Sequence, residues 1–224
     1  MAVRNVDKAT PLADEIRRQV GSGSGKVDIE RVDIADLDSV RAFATKFLSE
    51  HNRLDVLINN AGIMMPDQLV RSPQGLDPHM AANHHGHVLL TSMLLPLLSN
   101  TPGSRVVNVS STMHKYIRSV AEMKTNIDSE RGYEKAAGYG RSKLANILFT
   151  LELDRRLKSA GVEYPMVLAA HPGITETNLQ HAEKSGFMKF FLDAGNVLIA
   201  QSVEMGGLIW QSLFFRSCAE LEII

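Results

Sequence analysis

The sequence predicts an α/β fold, a doubly wound parallel sheet with helices on both faces. Three observations predict it. Short apolar runs alternate with segments whose apolar residues recur at helical spacing. Runs such as "LDVLINNAG" (54–62) are almost continuously apolar, as strands covered on both faces are. Three runs, "INNAG", "NVSS" and "AAHPG", pass in the same way from apolar residues into small polar residues, Gly or Pro. In doubly wound sheets ligands bind beyond the carboxyl ends of the strands, so these three ends should share one crevice.

The elements follow in order. Leu12, Ala13, Ile16 and Val20 give 8–20 a helical stripe. "GSGSG" (21–25) breaks the chain and reads as a loop before a strand. "KVDIERVDI" (26–34) is β-branched and reads as that strand. In "DLDSVRAFATKFLSEH" (36–51), Val40, Phe43, Ala44, Phe47 and Leu48 form one stripe, with Asp36 or Asp38 as cap. The strand at 54–62 follows, then a helix over 76–98 and a buried strand, "SRVVNVSS", over 104–111. A helix over 138–160 should turn Leu144, Ile147, Leu148 and Leu151 inward. "YPMVLAAHPG" (164–173) is another strand, and 203–217 a last helix. No internal repeat and no linker divide the 224 residues, which read as a single domain, 1–224.

Composition excludes several classes. Lys plus Arg is 24 and Asp plus Glu is 25, a net charge of -1, so no basic surface invites nucleic acid. Cys218 is the only cysteine, which rules out a disulfide framework or a cysteine zinc site and suits a reducing compartment. The start of the chain lacks the apolar core of a signal peptide. "VLLTSMLLPLL" (88–98) is too short to span a bilayer and contains Pro96. A cytoplasmic protein is expected, unless a segment ahead of Met1 attaches it to a membrane or organelle. His79, His84, His85 and His87 cluster, but no further ligand set accompanies them, and no metal site is expected.

The chemistry concentrates in "YGRSK" (139–143), where Tyr139 and Lys143 stand four apart on one helix face. Free tyrosine titrates near pH ~10, too high for a base at neutral pH, and a nearby ammonium lowers that value. Tyr139 would then exchange a proton with an alcohol or carbonyl. Ser111, at the end of a neighbouring strand, would hydrogen-bond the developing alkoxide. No side chain carries hydride, so a nicotinamide or flavin would be required.

The ordered set "NNAG" (59–62), "NHHGH" (83–87), "RVVNVSS" (105–111), "YGRSKLANILFTLEL" (139–153) and "HPGITETNL" (171–179) closely resembles the short-chain dehydrogenase/reductase family, in its retinol-dehydrogenase-like branch. The resemblance runs from about residue 2 to 217 and implies a Rossmann-type NAD(P)-binding domain. It implies that Tyr139 is the acid/base, that Lys143 lowers its pKa and holds the nicotinamide ribose, that Ser111 orients the substrate carbonyl and that Asn83 supports a proton-relay water. The "SS" pair keeps Ser110 as the alternative to Ser111. Asn60, Ala61 and Gly62 would line the cofactor beside the adenine ribose, and Asp33 and Ile34 would contact adenine. Pro172, Gly173, Thr175 and Thr177 would border the nicotinamide and phosphates. Arg4 would pair with a 2′-phosphate, which a guanidinium suits, so NADP is expected, with NAD as the alternative. The stretch between Ser111 and Tyr139 would border the substrate pocket. The resemblance also implies a small alcohol or carbonyl substrate of apolar character, and pairing of helices 76–98 and 138–160 in a homodimer.

The family's T-G-x-x-x-G-x-G phosphate loop, which presents backbone N–H groups to the pyrophosphate, is not in this sequence. "GSGSG" follows a helix and precedes a strand, the reverse context. By motif position Met1 falls inside the second strand, so the fold is expected to be incomplete, without its first strand, glycine loop and first helix. A last strand is also expected to be missing at the other end. The first strand is central in the order 3-2-1-4-5-6, so "KVDIERVDI" and "LDVLINNAG" should not be joined through the sheet. The leading reading is an NADP(H)-dependent oxidoreductase. The alternatives are a catalytically inactive truncated product and, last, a sugar-nucleotide epimerase, which also uses Tyr and Lys four apart.

Overall fold

The computed structural model describes residues 1–20, 25–171, 174–175 and 200–201. Its elements are β1 (Ala2–Val3), α1 (Val6–Val20), β2 (Glu30–Arg31), α2 (Leu37–Glu50), β3 (Val56–Asn59), α3 (Pro78–Met80), a π-helical turn (Ala81–His85), α4 (Gly86–Ser99), β4 (Arg105–Val109), a 3-10 turn (Thr112–Tyr116), α5 (Val120–Lys124), α6 (Lys135–Ser159), β5 (Met166–Ala170), β6 (Ile174–Thr175) and β7 (Ala200–Gln201). The helix expected at 203–217 and most of "GSGSG" lie outside the described residues.

All strand pairs are parallel, and they form separate sheets. The order β3-β4-β5 is set by pairs from Val56↔Arg105 to Asn59↔Asn108, then Arg105↔Met166 to Val109↔Ala170. β1 pairs with β2 through Ala2↔Glu30 and Val3↔Arg31, and β6 with β7. Among the described residues no strand joins β1-β2 to β3-β4-β5, as the strand order requires. Only Glu30–Arg31 of the expected 26–34 strand forms a ladder. Its partner runs out: Asn5 accepts from Lys8 N at 2.9 Å and starts α1 two residues after β1 ends.

Helices hold the two sheets together where no strand does. Val32, Val40, Ala44, Leu90, Leu94, Leu98, Val106, Leu157 and Val167 form one buried cluster, drawn from the end of β2, α2, α4, β4, α6 and β5. Gly86 makes the closest approach. A Cβ there would stand 1.9 Å from the Ile34 carbonyl oxygen, so only glycine lets α4 meet the backbone beyond β2. Asp36 caps α2, accepting from Asp38 N at 3.1 Å.

Two expectations are corrected. The helix over 76–98 is three pieces. Asp77 caps a single turn with Pro78 at its start, the wide turn 81–85 follows, and α4 resumes at Gly86. On α6, Leu148 and Leu151 face outward, 47% and 62% exposed. The buried face carries Tyr139, Ser142, Lys143, Asn146 and Thr150 instead. The reason is hydrogen bonding: Lys143 Nζ and Asn146 Nδ2 both donate to the Val109 carbonyl, at 3.1 and 3.0 Å, and Thr150 Oγ1 accepts from Asn108 at 2.9 Å.

Candidate active site

The site forms where β3 and β4 end against α6 and the π-helical turn. Tyr139 and Lys143 are both buried one helical turn apart. Lys143 Nζ lies 5.6 Å from the centre of the Tyr139 ring. Burial lowers the Lys143 ammonium to about 8. Burial also pushes the Tyr139 phenol up from its ordinary value, and a hydrogen bond with Ser111 pulls the other way. The lowering of Tyr139 expected from Lys143 does not occur, because burial outweighs it. The ammonium sits over the ring and on the Val109 carbonyl.

The two adjacent serines have different tasks. Ser110 is buried and donates to the Lys143 carbonyl at 2.8 Å, fixing β4 to α6. Ser111 caps the 3-10 turn, with Met113 N at 3.3 Å, and faces Tyr139. Its carbonyl accepts from His114 Nδ1 at 2.6 Å.

Asn83 is fully buried in the π-helical turn. Its Oδ1 accepts from Ile63 N at 2.7 Å, and its Nδ2 donates to Ile63 O at 3.0 Å and to Ser142 Oγ at 2.9 Å. A Cβ on Gly62 would meet Asn83 Oδ1 at 2.9 Å and Lys143 Nζ at 3.8 Å, so the turn after β3 runs directly beside Lys143. Asn60 and Ala61 are exposed on that turn. The structure thus brings Gly62, Asn83, Ser111, Tyr139 and Lys143 to one place, with Asn60 and Ala61 on the same turn as Gly62.

The other expected residues stand on other elements. Asp33 Oδ1 accepts from Ala35 N at 3.0 Å, making the turn into α2, and Ile34 packs on the core. Arg4 is exposed just past β1. Thr175 ends β6. Pro172, Gly173 and Thr177 lie outside the described residues.

Sequence reasoning missed the polar scaffold beneath the site. Asn59 Nδ2 donates to Asn108 Oδ1 at 2.8 Å and to Thr91 Oγ1 at 2.9 Å, tying β3 to β4 and α4. The signal was present as an asparagine inside each of two apolar strands. His87 was also missed. It is buried, its imidazole is lowered to about 4 by burial, and its Nε2–H donates to the Ala61 carbonyl at 2.7 Å. His84, likewise lowered to about 4 by burial, bonds Asn146 at 3.1 Å. No cluster of three or more side chains that could hold a metal ion occurs among the described residues.

A parallel α/β sheet thus carries a buried Tyr–Lys pair and a facing serine at its carboxyl ends. The short chain dehydrogenase family model matches residues 1–123, and the chain belongs to that family. It is 42% identical over 190 residues to human retinol dehydrogenase 11, covering 85% of this chain and 56% of that protein. It is 41% identical over 179 residues to human retinol dehydrogenase 12, covering 80% and 54%. The chain therefore spans about half the length of the curated relatives it matches. A crystal structure of an uncharacterized protein from Mycobacterium Paratuberculosis is 39% identical, with a TM-score of 0.64, over 81% of this chain and 61% of that one. The fold is shared at lower identity with a short-chain dehydrogenase from Sphingobium yanoikuyae solved in complex with NADPH: 18% identity, TM-score 0.67, over 95% and 73% of the two chains.

Proposed function

We propose that this chain carries the proton-transfer site of an NADP(H)-dependent oxidoreductase that interconverts a hydroxyl and a carbonyl on a small apolar substrate. The single observation that carries this reading is the meeting of Ser111, Tyr139 and Lys143 at the ends of β3 and β4. The resemblance to retinol dehydrogenases supports the apolar substrate. The NADPH-bound relative of the same fold supports the choice of cofactor.

The residues present fit a nicotinamide cofactor. Gly62 leaves the space that a Cβ would take from Asn83 and Lys143, and Lys143 Nζ has donors beyond the one it gives to Val109. Lys143 would hold the ribose, Asn60 to Gly62 would line it, and Arg4 would meet the 2′-phosphate. Asp33 and Ile34 would flank adenine, with Pro172, Gly173, Thr175 and Thr177 beside the nicotinamide and phosphates. The cofactor supplies the hydride. The chain's own residues do the rest. Ser111 donates a hydrogen bond to the substrate oxygen, and Tyr139 gives that oxygen its proton in reduction or removes it in oxidation. Ser111, bonded to the Tyr139 hydroxyl, favours the phenolate against the burial that opposes it, and Asn83 anchors the turn against which a relay water would rest.

The whole reads as a single domain. The exposed Leu148 and Leu151 on α6 support a homodimer formed through this helix. Among the described residues no helix is long and apolar enough to cross a membrane. We keep the cytoplasm as the proposed location. The test is NADPH oxidation across a panel of apolar aldehydes and ketones, with the parent chain, Tyr139→Phe and Ser111→Ala. Turnover by the parent that falls at least about a hundredfold in both variants supports the reading. Equal turnover in all three contradicts it. A folded parent with no turnover favours the inactive, shortened product.

A further inference from the structure

His79 is a buried histidine outside the chemistry assigned above. It sits on α3 with no exposed surface, between two aromatic rings. The Tyr133 ring stacks on it at 5.7 Å and 18°, and the Tyr139 ring meets it edge-on at 6.2 Å and 66°. Its Nε2 accepts from Met65 N at 3.1 Å. In the neutral ring the proton is therefore on Nδ1, which lies 3.5 Å from Asp77 Oδ1 without making a hydrogen bond. Asp77 is equally buried. It accepts from His79 N at 2.8 Å, Met80 N at 3.1 Å and Ser129 Oγ at 2.6 Å.

Each neighbour narrows the imidazole's position. Met65 has a left-handed backbone, φ 46°, a conformation a non-glycine residue keeps only where its surroundings hold it. Tyr133 is fixed at its far end, where its hydroxyl donates to Pro66 O at 2.8 Å. A Cβ at Gly138 would come within 3.0 Å of His79 Nδ1, so the first turns of α6 press against the ring. That end of α6 has no side-chain cap at Glu134 to hold it. The Tyr139 ring is thus fixed from one side by Ser111 and from another by His79.

We propose that His79, held by Met65 and Tyr133 on a turn that Asp77 caps, is a positioning residue that sets the ring angle of Tyr139 for proton transfer. The inference rests on the acid/base assignment of Tyr139 made above. Misplacing a proton donor by a fraction of an ångström slows the step without weakening substrate binding.

Two substitutions separate ring support from hydrogen bonding. His79→Gln keeps an acceptor for Met65 and removes the ring. His79→Phe keeps the ring and removes the acceptor. The first readout needs no turnover: the tyrosinate absorbance of Tyr139, isolated by difference against the same chain carrying Tyr139→Phe. The groups facing Tyr139 are Ser111, Lys143 on its own helix, and His79 with Asp77 behind it. With the ring gone the phenol gains water, and its titration moves down toward the ordinary tyrosine value in His79→Gln. In His79→Phe it stays near the parent's. The second readout is kinetic: about a tenfold fall in kcat at unchanged KM in His79→Gln, largely restored in His79→Phe. An unchanged phenol titration in His79→Gln overturns the proposal. So does a His79→Phe chain displaced as far as His79→Gln, which would assign His79 to the Met65 turn. If His79→Gln does not fold, the titration of His79→Phe alone decides. If the parent has no turnover, the oxidoreductase reading fails while the titration still tests the positioning.

Discussion

Replacing Lys143 by Met should make the folded chain more stable while removing its chemistry. Lys143 is 5% exposed, and burial lowers it from 10.5 to about 8. That change corresponds to about 3 kcal/mol against the folded state at pH 7. The sign follows from proton counts. Between pH 8 and 10.5 the folded chain binds fewer protons at this group than the unfolded chain. Its contribution to stability therefore rises with pH across that window, and the full cost is felt below it. Methionine is of similar length and carries no charge. It loses the hydrogen bond to the Val109 carbonyl, about 1 kcal/mol, but that oxygen keeps Asn146 as a partner at 3.0 Å. The net gain is about 2 kcal/mol at pH 7. At pH ~9.5 the remaining cost of the lysine is only about 1 kcal/mol, and the advantage of Met nearly vanishes. Urea unfolding of parent and variant at both pH values measures this. A Lys143→Met chain less stable than the parent at pH 7, or one equally advantaged at both, would refute the reasoning.

The remaining predictions concern the packing and the site. Gly86→Ala places a Cβ 1.9 Å from Ile34 O and should cost more than about 3 kcal/mol by urea unfolding. Gly75→Ala meets no atom within 4 Å and should cost about 1 kcal/mol, for its φ of +79° alone. Ser110→Ala should lower stability by about 1 kcal/mol through its lost bond to Lys143 O. Ser111→Ala should lower stability by about 1 kcal/mol through its lost cap on Met113 N and lower kcat about a hundredfold. Acid should destabilise the chain between pH 6.5 and about 4. His84 and His87 are lowered to about 4 by burial, so the unfolded state binds more protons there, and His87→Gln should flatten the slope.

The order of elements was legible because apolar period and turn residues report it directly. The separation of β1-β2 from β3-β4-β5 was legible for a topological reason, since among the described residues no strand lies between them. The face of α6 was not. Apolar spacing pointed Leu148 and Leu151 inward, whereas the inward positions are polar groups serving the Val109 carbonyl and Asn108. The wide turn at 81–85 was also hidden, because "AANHH" carries no breaker. Its cause is tertiary: Asn83 takes both backbone groups of Ile63. Of the site, Ser111, Tyr139, Lys143 and Asn83 were readable from motifs. His79 and His87 were visible only as a cluster, since what they do depends on Met65, Asp77 and Ala61 reaching them through the fold.

The central claim is that this chain presents a working seat for the nicotinamide end of its cofactor beside Tyr139 and Lys143. The most direct test is a fluorescence titration of the 224-residue chain with NADPH, with far-ultraviolet circular dichroism on the same sample. The account predicts a folded spectrum and saturable binding that Lys143→Met weakens. A folded spectrum with no binding, or binding indifferent to Lys143, would contradict it.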